Sequence, residues 1–231
     1  MKKLMILSVV VLGAMMVSCN KTAPASEQKE EITTPANPHV SAIRIANELA
    51  AYGYENESAT ALFEAVIIYA SADKTVLDSE KETDAQEECT EDKENAKSYK
   101  PEDVLAAGMR LAGDDETLLA LGARAQKALK ESLIRGAVNG PKYAYTRVMA
   151  HSSDLYRVNF YAGQTAEVAV SGDHDTDLDL YIYDENGNLI VSDTDYTDQC
   201  YVRWCPRWTG TFAIKIVNRG GVYNQYALVT N

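Results

Sequence analysis

The spacing of apolar residues changes period once along this chain, and that change constrains the fold more than any single residue does. As far as about Gly136, apolar side chains recur every three or four positions, as one face of a helix requires. From about Lys142 they recur at every second position: Val158 and Phe160, Val168 and Val170, Leu178, Leu180 and Ile182, then Phe212, Ile214 and Ile216. Such alternation marks strands with one buried face. Turn-forming clusters separate the runs at Ala162-Gly163-Gln164, from Asp184 to Asn188, and from Asn218 to Gly221. Short strands punctuated in this way predict an antiparallel β-sandwich over 142–231. The fold class expected is α+β in two parts, with helical hairpins first and the sandwich second.

The helical zone, 38–136, reads as about four helices. Asn37 can cap the first with Pro38 at its first position. Ile43, Ala46, Leu49, Ala50 and Tyr52 then form its stripe, and Gly53 is expected to end it. Ser58 can cap a second helix that is apolar nearly all round through Leu62, Phe63, Val66, Ile67 and Tyr69, so it is expected to be the buried member. A third starts at Pro101 with Val104, Leu105, Met109 and Leu111 as its stripe. Gly113 breaks it, Asp114 is expected to cap the fourth, and Leu118, Leu119, Leu121, Ala125 and Leu129 carry that one. The two hairpins share a weak internal repeat, similar in outline to tetratricopeptide-like stacks, but two units fall short of the three or so such stacks need. An ordinary four-helix assembly is the preferred reading.

Between the hairpins, residues 73–100 hold ten carboxylates against five lysines, with little apolar content beyond Val76 and Leu77. This composition predicts a solvated acidic insert, with cation capture as the alternative.

The first residues carry an address. Lys2 and Lys3 precede an uncharged, mostly apolar run from Leu4 to Val17, which is shorter than the roughly 20 residues a spanning helix needs. Met16-Val17-Ser18-Cys19 resembles the lipobox of bacterial lipoproteins, with Met16 in place of the usual Leu. The resemblance implies a signal peptide over 1–18 and lipid on Cys19, the new N-terminus. A polar, proline-bearing stretch over 19–37 follows as a flexible tether. Losing Lys2 and Lys3 takes the formal charge from -12 to -14. An acidic chain of this kind repels phosphate backbones, so nucleic acid is not an expected partner.

Cys89, Cys200 and Cys205 remain after Cys19, no CxxC occurs, and the chain has three histidines, which argues against structural zinc. Cys200 and Cys205 lie in a stretch read as mostly strand, where extension puts them roughly 16 Å apart. A disulfide needs Cα atoms within about 7 Å, so the two are expected to be unbonded, partly buried thiols. A bond from Cys89 to one of them is the minority alternative.

The strand zone also carries a family likeness. Tyr156-Arg157-Val158-Asn159-Phe160-Tyr161-Ala162-Gly163-Gln164 is followed by Asp177-Leu178-Asp179-Leu180-Tyr181-Ile182-Tyr183-Asp184 with Gly187. Trp208-Thr209-Gly210-Thr211-Phe212 and a closing Tyr226-Ala227-Leu228-Val229 come after. These motifs, in this order, resemble the bacterial pre-peptidase C-terminal domain over roughly Tyr143 to Asn231. The resemblance implies a jelly-roll-like sandwich, generally non-catalytic, of a kind appended to exported proteins. Some related collagenase domains bind substrate and calcium. The helical zone shows no HExxH, no G-x-S-x-G and no catalytic Cys/His pairing, so a protease role is not inherited.

Two groups of side chains are candidate sites. Asp173, Asp175, Asp177 and Asp179 alternate, and on an extended strand they would share one face. Calcium, with its six to eight oxygen ligands, is the cofactor such crowding suggests. Asp184, Asn186, Asp193, Asp195 and Asp198 lie on turns that follow. The EF-hand pattern fails, because Leu178 stands where its glycine belongs. The alternative is that Asp177 and Asp179 brace turns while the others are solvated. Tyr201, Trp204 and Trp208 could form a flat platform for sugar or peptide, or else be core and edge cover. His39 and His151 are isolated and receive no role.

Together these readings predict a non-catalytic, lipid-anchored cell-envelope protein, not an enzyme. Its helical module would serve interaction or spacing, and its sandwich binding or stabilisation. The expected partners are a membrane, through the lipid, and an envelope protein or glycan. The alternatives are a partner or regulator of a secreted peptidase, and a carboxylate-dependent hydrolase.

Overall fold

The computed structural model describes residues 34–84, 97–134 and 140–231. Cys19, the expected signal peptide, nearly all of the expected tether, and Cys89 lie outside the described residues. Four helices come first: α1 (Pro38–Glu55), α2 (Ala59–Ser71), α3 (Pro101–Ala112) and α4 (Glu116–Ile134). Two short strands, β1 (Thr75–Val76) and β2 (Glu82–Asp84), fall between α2 and α3. After α4 come β3 (Lys142–Val148), β4 (Ser153–Phe160), β5 (Ala166–Ser171), β6 (Leu178–Tyr183), β7 (Leu189–Asp193), β8 (Gln199–Trp204), β9 (Gly210–Asn218) and β10 (Asn224–Thr230). Among the described residues no helix is long and apolar enough to cross a membrane.

The helix starts follow the expected chemistry. Asn37 Oδ1 accepts from the backbone N–H of His39 at 2.9 Å and of Val40 at 3.3 Å, with Pro38 in the first turn. Ser58 Oγ accepts from Ala61 N–H, and Pro101 opens α3. Asp115, not Asp114, caps α4, accepting from Thr117 and Leu118 N–H at 2.8 and 3.0 Å. Nor does Gly53 end α1, which runs on to Glu55. That glycine lets α2 approach, since a Cβ there would lie 2.7 Å from Leu62 Cδ2. The stripe of α3 is also narrower in side-chain size than expected. Val104, Ala107 and Ala112 are buried together with Gly108, where a Cβ would meet the Phe63 ring at 2.7 Å. Met109 and Leu111 are left largely exposed. As predicted, α2 is the central helix and packs against α1, α3 and α4.

The strands form two five-stranded sheets, β1-β3-β10-β5-β8 and β2-β4-β9-β6-β7, antiparallel throughout except where β1 runs parallel to β3. The inner faces contribute Val158, Phe160, Val168, Val170, Leu180, Ile182, Phe212, Ile214 and Ile216, so every run read as alternating supplies the sandwich core. This is the expected fold class. The outer face of the first sheet is covered in turn by the helices. Ala169 and Val229 join the helical core, with Tyr143, Tyr145 and Tyr201 packed against it. Covered on both sides, β5 is buried at every position. Helices and strands thus make three layers within one compact unit.

The acidic segment is not uniformly solvated. β1 extends one sheet beside β3, and β2 extends the other beside β4. From this segment Lys81 Nζ reaches Asp154 Oδ2 at 3.1 Å, and Thr83 Oγ1 donates to Asp154 Oδ1 at 2.7 Å. Asp154 is fully buried and also accepts from Tyr226 Oη at 2.7 Å. The insert therefore brings the charge that a buried carboxylate requires.

Strand directions sort the turns onto two ends of the sandwich. One end carries turns 161–165, 184–188 and 205–209 together with Asn231. The other carries 149–152, 172–177, 194–198 and 219–223.

Candidate functional site

The four alternating aspartates lie at the second of these ends, and they do not share a face. Residues 172–177 are loop rather than strand, β6 begins only at Leu178, and His174 has φ +65°. Asp173 is buried and its Oδ2 accepts from Gln225 N–H at 3.0 Å. Asp179 is buried on another side, where Arg219 Nε donates to it at 2.6 Å and Tyr181 Oη at 3.0 Å. Asp177 stands between. Burial, and then the charges of Asp179 and Asp195, raise its carboxyl above the usual range, partly offset by Arg219.

The acids on the following turns brace backbone. Asp198 accepts from His174 N–H at 2.5 Å, and Asp195 from Thr197 N–H at 3.0 Å. Asp193 accepts from Tyr201 N–H at 2.8 Å. Asp184 accepts from Asn186 and Asn188, whose hydrogen bonds hold its carboxyl below the ordinary value. An open recess of about 330 Å³ remains, lined by His174, Asp175, Asp177 and Asp198. Among the described residues no three or more His, Cys, Asp or Glu side chains converge as ligands would. The residues present do not fit the calcium site expected from alternation, because Asp173 and Asp179 are turned to opposite tasks.

The aromatic trio is also dispersed, since Tyr201 and Trp204 sit an odd number of residues apart on β8 and face opposite ways. Trp204 points into the sandwich core, edge-on to Phe160 at 4.8 Å between ring centres. Tyr201 points towards the helices, under the Arg44 guanidinium at 4.1 Å. Burial and its bond to the Glu167 carboxylate push the Tyr201 phenol up to about 12, so it stays protonated and donates to Glu167 Oε2 at 2.9 Å. Trp208 lies beyond β8, stacked on Phe212, with its Nε1 donating to Glu185 at 3.0 Å. The three form no platform and serve as core and edge cover.

Cys200 and Cys205 are both unbonded, as expected. Cys200 is buried and its Sγ donates to the Leu178 carbonyl at 3.1 Å, and burial raises its thiol. Cys205 differs from expectation in being exposed, because the chain has left the sheet there.

A larger recess lies at the other end of the sandwich. It is a groove of about 520 Å³ between the start of α1, the β4–β5 turn and the C-terminal residue. Asn37, Lys142, Asn159, Tyr161, Gln164 and Asn231 line it, with no Asp or Glu side chain among the described lining residues. The turn is pinned by Gly163 N–H on the Pro206 carbonyl and Ala162 N–H on Thr209 Oγ1, which holds Tyr161 outward at 64% exposure. Asn231 is fixed on the opposite wall, its Oδ1 accepting from Glu167 N–H at 2.8 Å and its Nδ2 donating to the Thr165 carbonyl at 2.7 Å. Asn159 Oδ1 accepts from Thr211 Oγ1, so its amide is oriented. The arrangement is an amide-rich wall facing an exposed aromatic ring, suited to a ligand rich in hydroxyl groups. Sequence reading missed it because Asn37, Lys142 and Asn231 come from widely separated segments, and the motif that holds Asn159, Tyr161 and Gln164 was read for its strand and turn alone.

No family model matches the chain, and no curated protein matches it. Among solved structures it is similar to a periplasmic inhibitor of g-type lysozyme from Aeromonas hydrophila (14% identity, 39% of this chain, 84% of the inhibitor, TM-score 0.34). It is similar to the pre-peptidase C-terminal domain of a collagenase from Bacillus anthracis (11% identity, 39% of this chain, 88% of that domain, TM-score 0.32). A carbohydrate-binding module of lichenase 5A from Cellvibrio mixtus, solved with cellotriose, is also similar (12% identity, 40% of this chain, 87% of the module, TM-score 0.26).

Proposed function

We propose that this chain is a non-catalytic binding module of the bacterial cell envelope, held to a membrane by lipid on Cys19, with a glycan as its ligand. The observation that carries the ligand class is the groove of Asn37, Asn159, Tyr161, Gln164 and Asn231. A sugar offers hydroxyl groups that both donate and accept, and a C–H face. Side-chain amides match the first, because each carries a donor and an acceptor. An exposed tyrosine ring matches the second. Lys142 adds one positive charge to the rim.

The anchor rests on the N-terminal sequence, where the apolar run from Leu4 to Val17 leads to Ser18-Cys19. The pre-peptidase C-terminal likeness rests on the spaced motifs of 156–229, which fall on β4, β6, β9 and β10. Two experiments test the reading. Screening the purified protein against an array of oligosaccharides, envelope glycans among them, should return saturable ligands, and none at millimolar concentration would refute the ligand class. Cys19→Ala should release the protein from the membrane fraction, and full retention there would refute the anchor.

A further inference from the structure

The groove is not built by the sandwich alone. Lys142, Asn159, Tyr161, Gln164 and Asn231 come from the strand zone, whereas Asn37 comes from the start of α1. One buried residue holds both Asn37 and Asn231. Glu167 lies on β5, two positions before Ala169, which joins the helical core, so its side chain faces the helices. Its Oε1 accepts the Asn37 N–H at 2.9 Å. Its own N–H donates to Asn231 Oδ1 at 2.8 Å, and its carbonyl accepts the Asn231 N–H at 3.3 Å. The chain just before Asn37 is fastened at the same place. Arg203 Nη2 donates to the Thr34 carbonyl at 2.8 Å, while Arg203 Nε lies 3.4 Å from Glu167 Oε1. Residues 37, 167 and 231 thus meet in one hydrogen-bonded frame.

A carboxylate is a costly way to fill this place. A buried ion pair gains little stability over well-packed apolar side chains of similar volume. Its hydrogen bonds are directional, however, and an apolar side chain would leave the start of α1 free to shift on the sheet. The charge stands where the helical layer reaches the groove, and what it fixes is the position of Asn37 relative to Asn231.

We propose that Glu167 is the positioning residue of the groove, and that the helical layer completes the binding site. The proposal rests on the glycan reading of the groove. Glu167 is not among the described residues that line it and acts through Asn37. Coupling of binding free energies is reciprocal. A sugar held against Asn37 therefore strengthens the docking of α1 by the same factor by which docking strengthens sugar binding.

The test uses the mature protein in detergent and the tightest-binding member of an oligosaccharide array that includes cellotriose and chitotriose. Glu167→Ala should weaken binding by about tenfold or more, within the usual range of coupling between sites. Glu167→Gln, which keeps an oxygen for the Asn37 N–H, should restore affinity to within about threefold of wild type. Lys81→Met, which destabilises the fold away from the groove, should leave affinity unchanged and so separates positioning from loss of stability. Hydrogen exchange in the wild type gives a reading that needs no variant to fold. Saturating sugar should slow exchange of the Asn37 N–H by about tenfold or more, and leave the amides in the middle of α4 nearly as they were. Wild-type affinity in Glu167→Ala beside a loss in Tyr161→Ala would overturn this inference and leave the glycan reading standing. An equal loss in Lys81→Met, or an Asn37 N–H that sugar does not protect, would also overturn it. Binding of no oligosaccharide by the wild type would overturn both.

Discussion

Glu167 Oε1 accepts the backbone N–H of Asn37 at 2.9 Å, joining the residue that caps α1 to the middle layer of the molecule. The carboxylate is 1% exposed and also takes the Tyr201 hydroxyl, with Arg203 Nε at 3.4 Å. Removing one partner of a buried charged network leaves the rest unmatched, at a typical cost of about 3–5 kcal/mol. Glu167→Ala is therefore expected to cost that much in urea denaturation, and Glu167→Gln less, since an amide oxygen still accepts. A loss below about 1 kcal/mol for the alanine variant would mean that this clasp does not hold the layers together.

Lys81 tests whether the acidic segment is part of the fold. Its ammonium meets Asp154, whose side chain is fully buried, while Lys81 keeps 29% of its own side chain exposed. Lys81→Met strands the carboxylate, and the partial exposure of the lysine reduces the penalty to about 2 kcal/mol. Lys81→Met with Asp154→Asn should recover part of the loss, as coupled partners do in a double-mutant cycle. Additive losses would show that the pair is not coupled.

Asp177 should make stability depend on pH. Burial and the neighbouring carboxylates raise its folded pKa above the unfolded value. Protons then bind the folded state more tightly, so this contribution is fully present below the unfolded pKa. It is lost as pH rises through the folded pKa. Asp177→Asn should therefore stabilise the protein at neutral pH and change little at pH 3. Asp184 has the opposite sign, because its pKa is lowered on folding and its contribution fades as pH falls. Thermal melts from pH 3 to 7 measure both, and an Asp177→Asn variant less stable at pH 7 would contradict the assignment.

Calcium is expected to leave the thermal midpoint unchanged at millimolar concentration, because the aspartates that would ligate it are divided between Gln225 and Arg219. A ligand selective for the folded state would raise the midpoint. A rise that Asp177→Asn abolishes would show that the acidic loops rearrange around the ion.

β4, β5, β6 and β9 were legible because their apolar residues recur at every second position and fill the sandwich core, whereas β7 has no buried residue and leaves no such run. The caps at Asn37 and Ser58 and the opening at Pro101 were legible because capping is local chemistry. Gly53 and Gly108 were not, since close approach of Leu62 and Phe63 leaves no trace in apolar spacing. β1 and β2 are two and three residues long, too short to show alternation, and the Lys81–Asp154 pairing spans 73 residues. The aspartate cluster misled because alternation implies a shared face only on a strand, and 172–177 is loop. The groove was invisible for a related reason, since Asn37, Asn159 and Asn231 meet only after folding.

The most direct measurement is calorimetric titration of the detergent-solubilised mature protein with the best oligosaccharide from the array, beside Tyr161→Ala and Gln164→Ala. Both side chains line the groove, and Tyr161 is largely exposed, so neither change should disturb the fold. The expected result is a loss of about tenfold or more in affinity for each variant, from the lost ring face and the lost amide, with thermal midpoints unchanged. Wild-type affinity retained in both variants would contradict the assignment of this groove as the binding site.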